Sequence, residues 1–221
     1  MPSLILYLCA GSTNAQTSSA NYAVLVASGF LCDASDSGSC PAIAKSANGD
    51  SYEISGAGTL DTHNKSVNAA GTFSHKSTNG DVLETGVWIG SDLISFGSYG
   101  IAPAALMQKG RASGRPQIGT KRLHIGSGLL PTGGLATFHI LLMPILGPAR
   151  TASLEVNCAL GDVPRDRSVE GIRLQIDRTT DYSEEAGGRV MFLATRAPVS
   201  VTAKAPKQDA PEAAGLPQNQ R

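Results

Sequence analysis

Between residues 65 and 88 small or apolar side chains alternate with polar ones on a two-residue period. Val67, Ala69, Gly71, Phe73 and His75 share one face, while Ser66, Asn68, Ala70, Thr72 and Ser74 share the other. Successive side chains of a strand point to opposite faces, so this period predicts a half-buried β-strand. Thr78-Asn79-Gly80-Asp81 follows, and then a second extended run over 82–88. Asn-Gly between two such runs predicts a hairpin with a type I′ turn, whose two central residues take positive φ.

The flanking sequence continues in the same manner. Residues 21–31 read as a strand entering a polar loop. Residues 41–49 read as a connector ending in the turn signal Asn48-Gly49-Asp50. Tyr52, Ile54, Gly56, Gly58 and Leu60 alternate along a further strand, and Ile89, Leu93, Ile94 and Phe96 extend the hairpin. Residues 101–120 have no period and are rich in Gly and Pro, which predicts a long loop; loops of this length tend to be functional. Pro131-Thr132-Gly133-Gly134 reads as the turn of a second hairpin, between 122–130 and 135–146. Residues 153–160, 171–176 and 189–195 supply three more strands. About nine short strands with Gly-rich turns predict an all-β fold, an antiparallel β-sandwich, with a closed antiparallel β-barrel as the alternative. Glycines inside strands, among them Gly56, Gly71 and Gly86, mark bulges, bends or close backbone approach.

Composition narrows the setting. The 221 residues are 41% apolar and only 16% charged, with 18 basic and 18 acidic side chains. A neutral balance argues against nucleic acid as a partner, because phosphate binding needs a basic excess. No apolar run approaches the ~20 residues of a transmembrane helix. Leu4-Ile5-Leu6-Tyr7-Leu8-Cys9-Ala10 reads as the apolar core of an export signal over 1–15, which points to a secreted or periplasmic protein. One all-β domain is expected over 16–196. Residues 197–221, rich in Pro and Ala and without aromatics, are expected to be a disordered tail.

There are four cysteines, Cys9, Cys32, Cys40 and Cys158. Cys32 and Cys40 flank a short polar loop, and in an oxidising compartment that spacing predicts a disulfide. Cys158 is in phase with Leu154, Val156 and Leu160, which predicts a buried, inert thiol.

Candidate chemistry is sparse. Asp61 and His63 share a face, two residues apart, and a hairpin partner such as His75, or His124 elsewhere, would complete a three-ligand site for a divalent ion. No compact metal motif supports this, and no other cofactor is expected. Asp33, Ser35 and Ser37 echo the start of a calcium loop, but Ala44 stands where the bidentate Glu belongs. No GxSxG is present. Glu84 and Asp92 are carboxylates beside the central strand, a distant candidate pair for glycoside hydrolysis. Lys109, Arg111 and Arg115, with Lys121 and Arg122, form a basic loop without an acid, suited to an anionic glycan, a phosphate or a membrane surface.

These features favour an exported, non-catalytic β module that binds a protein or carbohydrate partner through end loops, Lys109, Arg111 and Arg115 foremost. Two alternatives stand beside it: an enzyme with a metal or acid–base site at Asp61, His63 and His75, and a structural component of the cell envelope.

Overall fold

The computed structural model describes residues 21–32, 36, 38–102, 129–178 and 180–195. Among these residues eleven strands form one antiparallel β-sandwich whose hydrogen bonding is ring-like. They are β1 (Asn21–Val26), β2 (Ala42–Lys45), β3 (Ser51–Asp61), β4 (Ser66–Lys76), β5 (Val82–Ile101), β6 (Leu129–Pro144), β7 (Arg150–Cys158), β8 (Gly171–Ile176), β9 (Thr180–Tyr182), β10 (Glu184–Gly187) and β11 (Val190–Thr195).

Two long strands organise the ring. One edge of β3 pairs with β4, and the other pairs first with β2 and then with β1. One edge of β6 pairs with β5, and the other is shared by β11 and β7. β1 and β11 join to close one end. At the other end Thr180–Gly187 passes from the edge of β8 to the edge of β2, as β9 and then β10.

The interior is a set of apolar rungs in register across strands. Phe138, Leu154, Leu174 and Tyr182 form one rung over β6–β9, and Ala136, Val156 and Ile172 form the next. All seven are at most 4% exposed. Full burial of a Leu or Phe contributes roughly 1.5–3 kcal/mol, so such rungs supply the main drive for folding. On β5, beside β6, Trp88 is fully buried and donates its indole N–H to the Ser55 carbonyl at 3.1 Å. Its ring lies over the cross-strand glycines Gly71 and Gly56. A Cβ at Gly71 would come within 1.9 Å of the Ser55 carbonyl oxygen and 2.7 Å of the indole nitrogen. Glycine there is required by close approach, as the strand glycines led one to expect.

The organising hairpin is present as β4–β5, but its turn differs from type I′. Ser77 N–H donates to the Asp81 carbonyl and Gly80 N–H to the Ser77 carbonyl. Gly80 has φ +88° and Asn79 is not left-handed, so one glycine reverses the chain within a five-residue turn. Ser46-Ala47-Asn48-Gly49-Asp50 makes the same turn, with Gly49 at φ +91°. The two turns dock: Thr78 N–H donates to the Asp50 carboxylate at 2.9 Å, and the Thr78 hydroxyl donates to the Asn48 carbonyl at 2.7 Å.

The second hairpin is not centred where the sequence placed it. Pro131–Gly134 lies inside β6 as buried strand. Gly133 is needed because the Leu160 carbonyl would stand 1.7 Å from a Cβ at that position, so composition that imitates a turn here serves close packing. Residues 101–128 are described only to Ala102.

Candidate functional site

Cys32 and Cys40 form the expected disulfide, with sulfurs 2.03 Å apart. Cys158 is buried and free, and burial, reinforced by Glu170, pushes its thiol up to about 12. It stays protonated and unreactive at neutral pH.

The proposed metal ligands are not brought together. Asp61 ends β3, and its carboxylate accepts the backbone N–H groups of His63 and Asn64 in the β3–β4 turn, both at 2.9 Å. His75 pairs with Tyr52 near the opposite end of the same ladder. Asp61 lies nine residue steps along β3 from Tyr52, about 30 Å at ~3.3 Å per step. Among the described residues no three of His, Cys, Asp or Glu gather to hold a metal. The Asp61 carboxylate serves as a turn cap, which also lowers its pKa. His124, Asp33, Lys109, Arg111, Arg115, Lys121 and Arg122 lie outside the described residues. Glu84 and Asp92 stand eight positions apart on β5; Glu84 is committed to Arg150, while Asp92 lies in a separate depression described below.

His75 belongs instead to a closed polar cluster. Its ring stacks on Tyr52, with centroids 4.5 Å apart, and its Nε2 lies 3.2 Å from the Tyr182 hydroxyl. The Arg150 guanidinium donates to the Tyr52 hydroxyl at 3.0 Å and pairs with the Glu84 carboxylate. Burial lowers the His75 pKa, with Glu84 and Asp50 pulling the other way. Burial pushes the Tyr52 hydroxyl up to about 12 against the attraction of Arg150. Among the described residues the hydrogen bonds and ion pairs of His75, Tyr52, Arg150 and Glu84 run to one another or to Tyr182, an arrangement that fixes a structure rather than awaiting a ligand.

The outer face of β6–β9 has the opposite character. Between the apolar rungs lie polar ones that point outward. His139, Ser153, Gln175 and Asp181 are direct cross-strand neighbours on β6, β7, β8 and β9. Three strand intervals of ~4.8 Å make this row about 14 Å long. It runs through an open depression of about 470 Å³ that also takes in Ser91, Asp92, Thr151 and Arg178. A second depression of about 280 Å³ shares Ser153 and Gln175 and adds Asp181 and Arg173. The hydroxyl of the half-buried Ser153 is 3.4 Å from Nδ1 of the exposed His139, and among the described residues no third group is hydrogen-bonded to that imidazole to orient it as a base. The two meet because the β6–β7 register puts them opposite each other.

Arg178 is held at the rim by an unusual turn. Asp177 and Arg178 join β8 to β9 with φ of +47° and +60°. The left-handed region costs a non-glycine residue roughly 1–2 kcal/mol, and such strain gathers at functional sites. Asp177 is anchored by its N–H to the Thr151 carbonyl at 2.9 Å. Arg178, like Lys45, Lys65 and Arg165, forms no ion pair among the described residues, whereas Lys76, Arg150, Arg167, Arg173 and Arg189 each have an acid partner.

The sequence held a signal for this row: outward polar positions on three successive strands. Reading it required the register, which the sequence does not show. A scan against protein-family models, a search of curated proteins and a search of solved structures each found no match to this chain.

Proposed function

We propose that this protein is an exported, non-catalytic β module that binds an acidic saccharide along the outer face of β6–β9. The observation that carries this reading is the strained Asp177–Arg178 turn, which presents a cation without an acid partner among the described residues to a row of hydrogen-bonding side chains. Arg178 matches the fork of a carboxylate. Ser153, His139 and Gln175 offer both donors and acceptors to sugar hydroxyls, and Asp92 accepts. Among the described residues the depression is lined by no Phe, Tyr or Trp, so stacking on a neutral sugar contributes little and the charge sets specificity. The Cys32–Cys40 disulfide accords with an oxidising compartment. No helix among the described residues is long and apolar enough to cross a membrane.

The test is calorimetric titration with a uronate oligosaccharide and a neutral one of equal length. The uronate is expected to bind, and Arg178→Ala to weaken it about 10- to 100-fold, the worth of a charged hydrogen bond, with melting temperature unchanged. Absence of binding, or binding indifferent to Arg178→Ala, contradicts the reading. A second reading, a protein partner, is favoured by one observation: Val87, Ile89 and Leu141 are exposed side by side next to the depression. Under that reading Ile89→Asp weakens partner binding, whereas saccharide binding leaves Ile89 untouched.

A further inference from the structure

Two Asn-Gly pairs sit in turns with the same backbone hydrogen bonds. In Ser46–Asp50 and in Ser77–Asp81 the glycine N–H donates to the carbonyl of the first serine at 2.9 Å, and φ at the glycine is +91° in one turn and +88° in the other. The two asparagine side chains are placed differently. Asn48 Oδ1 accepts the Ser46 hydroxyl and the Asp50 N–H, and its Nδ2 donates to the Asp50 carboxylate at 3.0 Å. In the second turn the equivalent N–H, that of Asp81, donates to the Ser77 hydroxyl at 3.2 Å instead. Asn79 is exposed, and its side chain forms no hydrogen bond among the described residues. The surroundings differ in the same direction. A Cβ at Gly49 would meet the Thr78 side chain at 3.0 Å, whereas one at Gly80 would meet nothing within 4 Å.

Glycine after asparagine leaves the joining peptide nitrogen unshielded, because no Cβ stands beside it. That nitrogen, on losing its proton, can attack the asparagine Cγ, and ammonia leaves. Water then opens the cyclic imide at its side-chain carbonyl to give aspartate, or at its main-chain carbonyl to give isoaspartate. In sum one amide and one water become one acid and one ammonia. Attack turns the planar amide tetrahedral and draws it toward the glycine nitrogen. At Asn48 that movement breaks the bonds to Ser46 and Asp50; at Asn79 it breaks none among the described residues.

We propose that Asn79 is a site of spontaneous deamidation in the folded protein, and that the fold protects its counterpart Asn48. Isoaspartate at 79 lengthens the main chain by one carbon between Thr78 and Gly80. The Ser77–Asp81 closure and the seating of Thr78 on Asp50 and Asn48 then no longer fit, so the modification undocks the β4–β5 turn from the β2–β3 turn. This inference does not rest on the saccharide reading, whose residues lie elsewhere on the sheet.

Peptide mapping by mass spectrometry tests it, on the full chain aged in mildly alkaline buffer, native and in guanidinium chloride, with an isoaspartate assay on the same peptides. In the native protein Asn79 is expected to react at least about tenfold faster than Asn48, a difference of the size that one or two hydrogen bonds produce. In denaturant the two are expected to react alike, since each is an Asn-Gly-Asp segment. Ser46→Ala removes one bond to Asn48 and is expected to quicken reaction there while leaving Asn79 unchanged. Amide exchange at Thr78 is expected to quicken in the isoaspartate fraction. Equal native rates, a native difference that persists in denaturant, or an Asn79 that reacts only once the chain is unfolded overturns the proposal.

Discussion

His75 and His139 show two uses of one side chain on one sandwich. His75 is stacked on Tyr52, close to the Tyr182 hydroxyl and beside the Glu84–Arg150 pair. His139 points outward, touching Ser153 alone among the hydrogen-bonding groups described, beside Arg178, which has no acid partner among the described residues. In the first region the polar groups bind one another, so their desolvation is offset inside the fold. In the second the polar groups are arrayed by register and left to solvent, where a ligand can take the place of water. Chemistry-bearing residues alone do not distinguish the two; the presence of internal partners does.

The widest contrast is steric. Gly71→Ala forces a Cβ against the Ser55 carbonyl and the Trp88 indole. It is expected to cost about 4 kcal/mol or more, or to prevent folding, whereas Gly97→Ala on the open face of β5 changes stability by less than about 0.5 kcal/mol. Urea titration of the pair checks this, and equal stabilities break the distinction between a crowded inner face and an open outer one.

Next comes the ion pair. Arg150→Met keeps the stem but leaves the largely buried Glu84 carboxylate and the Tyr52 hydroxyl without their donor. The expected loss is about 2 kcal/mol, below the 3–5 of a fully buried pair because both partners retain some exposure. Adding Glu84→Gln should return part of it, which a double-mutant cycle measures.

Arg178→Gly reverses the sign. Glycine takes the left-handed φ of +60° without strain, so stability should rise by roughly 1 kcal/mol while saccharide binding is lost. A variant both destabilised and binding-competent removes Arg178 from the site.

The smallest effect is in pH. Burial holds the His75 pKa below its ordinary value, so the unfolded chain takes up a proton more readily than the folded one. The sign follows: this contribution to stability is fully present above the unfolded value near 6.5 and is lost as pH falls through the lower folded value. Stability between pH 7 and 5 should therefore decline with acidification, and His75→Gln should flatten that slope. An unchanged slope assigns it to other groups.

Local pattern carried far in this chain. The alternation of Tyr52, Ile54 and Leu60, and of Val67, Ala69 and Phe73, marks β3 and β4, because a strand with one buried face repeats every two residues. Cys32 and Cys40 were legible as a pair because they enclose one short loop. Asn48-Gly49 and Asn79-Gly80 were legible as turns, and the two segments Ser46–Asp50 and Ser77–Asp81 fold alike, though not as the type I′ turn expected of the second. Illegible were β2, β9 and β10, since strands of three or four residues show too little period and gain their structure from the ladders beside them. Pro131–Gly134 misled because its residues, frequent in turns, are used here where Leu160 crosses close to β6. The clusters were hidden for a further reason. Arg150 meets Tyr52 across 98 positions of sequence, and His139, Ser153 and Gln175 become neighbours only when three strands adopt one register.

The central claim is that the outer row, and not the closed cluster, is the binding surface. Amide chemical-shift mapping with a uronate trisaccharide addresses it directly. The account predicts saturable shifts at Ser91, Asp92, His139, Ser153, Gln175 and Arg178, and none at Tyr52, His75, Glu84 or Tyr182. Shifts confined to Tyr52 and His75, or to Ile101, Leu129 and the segment between them, would contradict it.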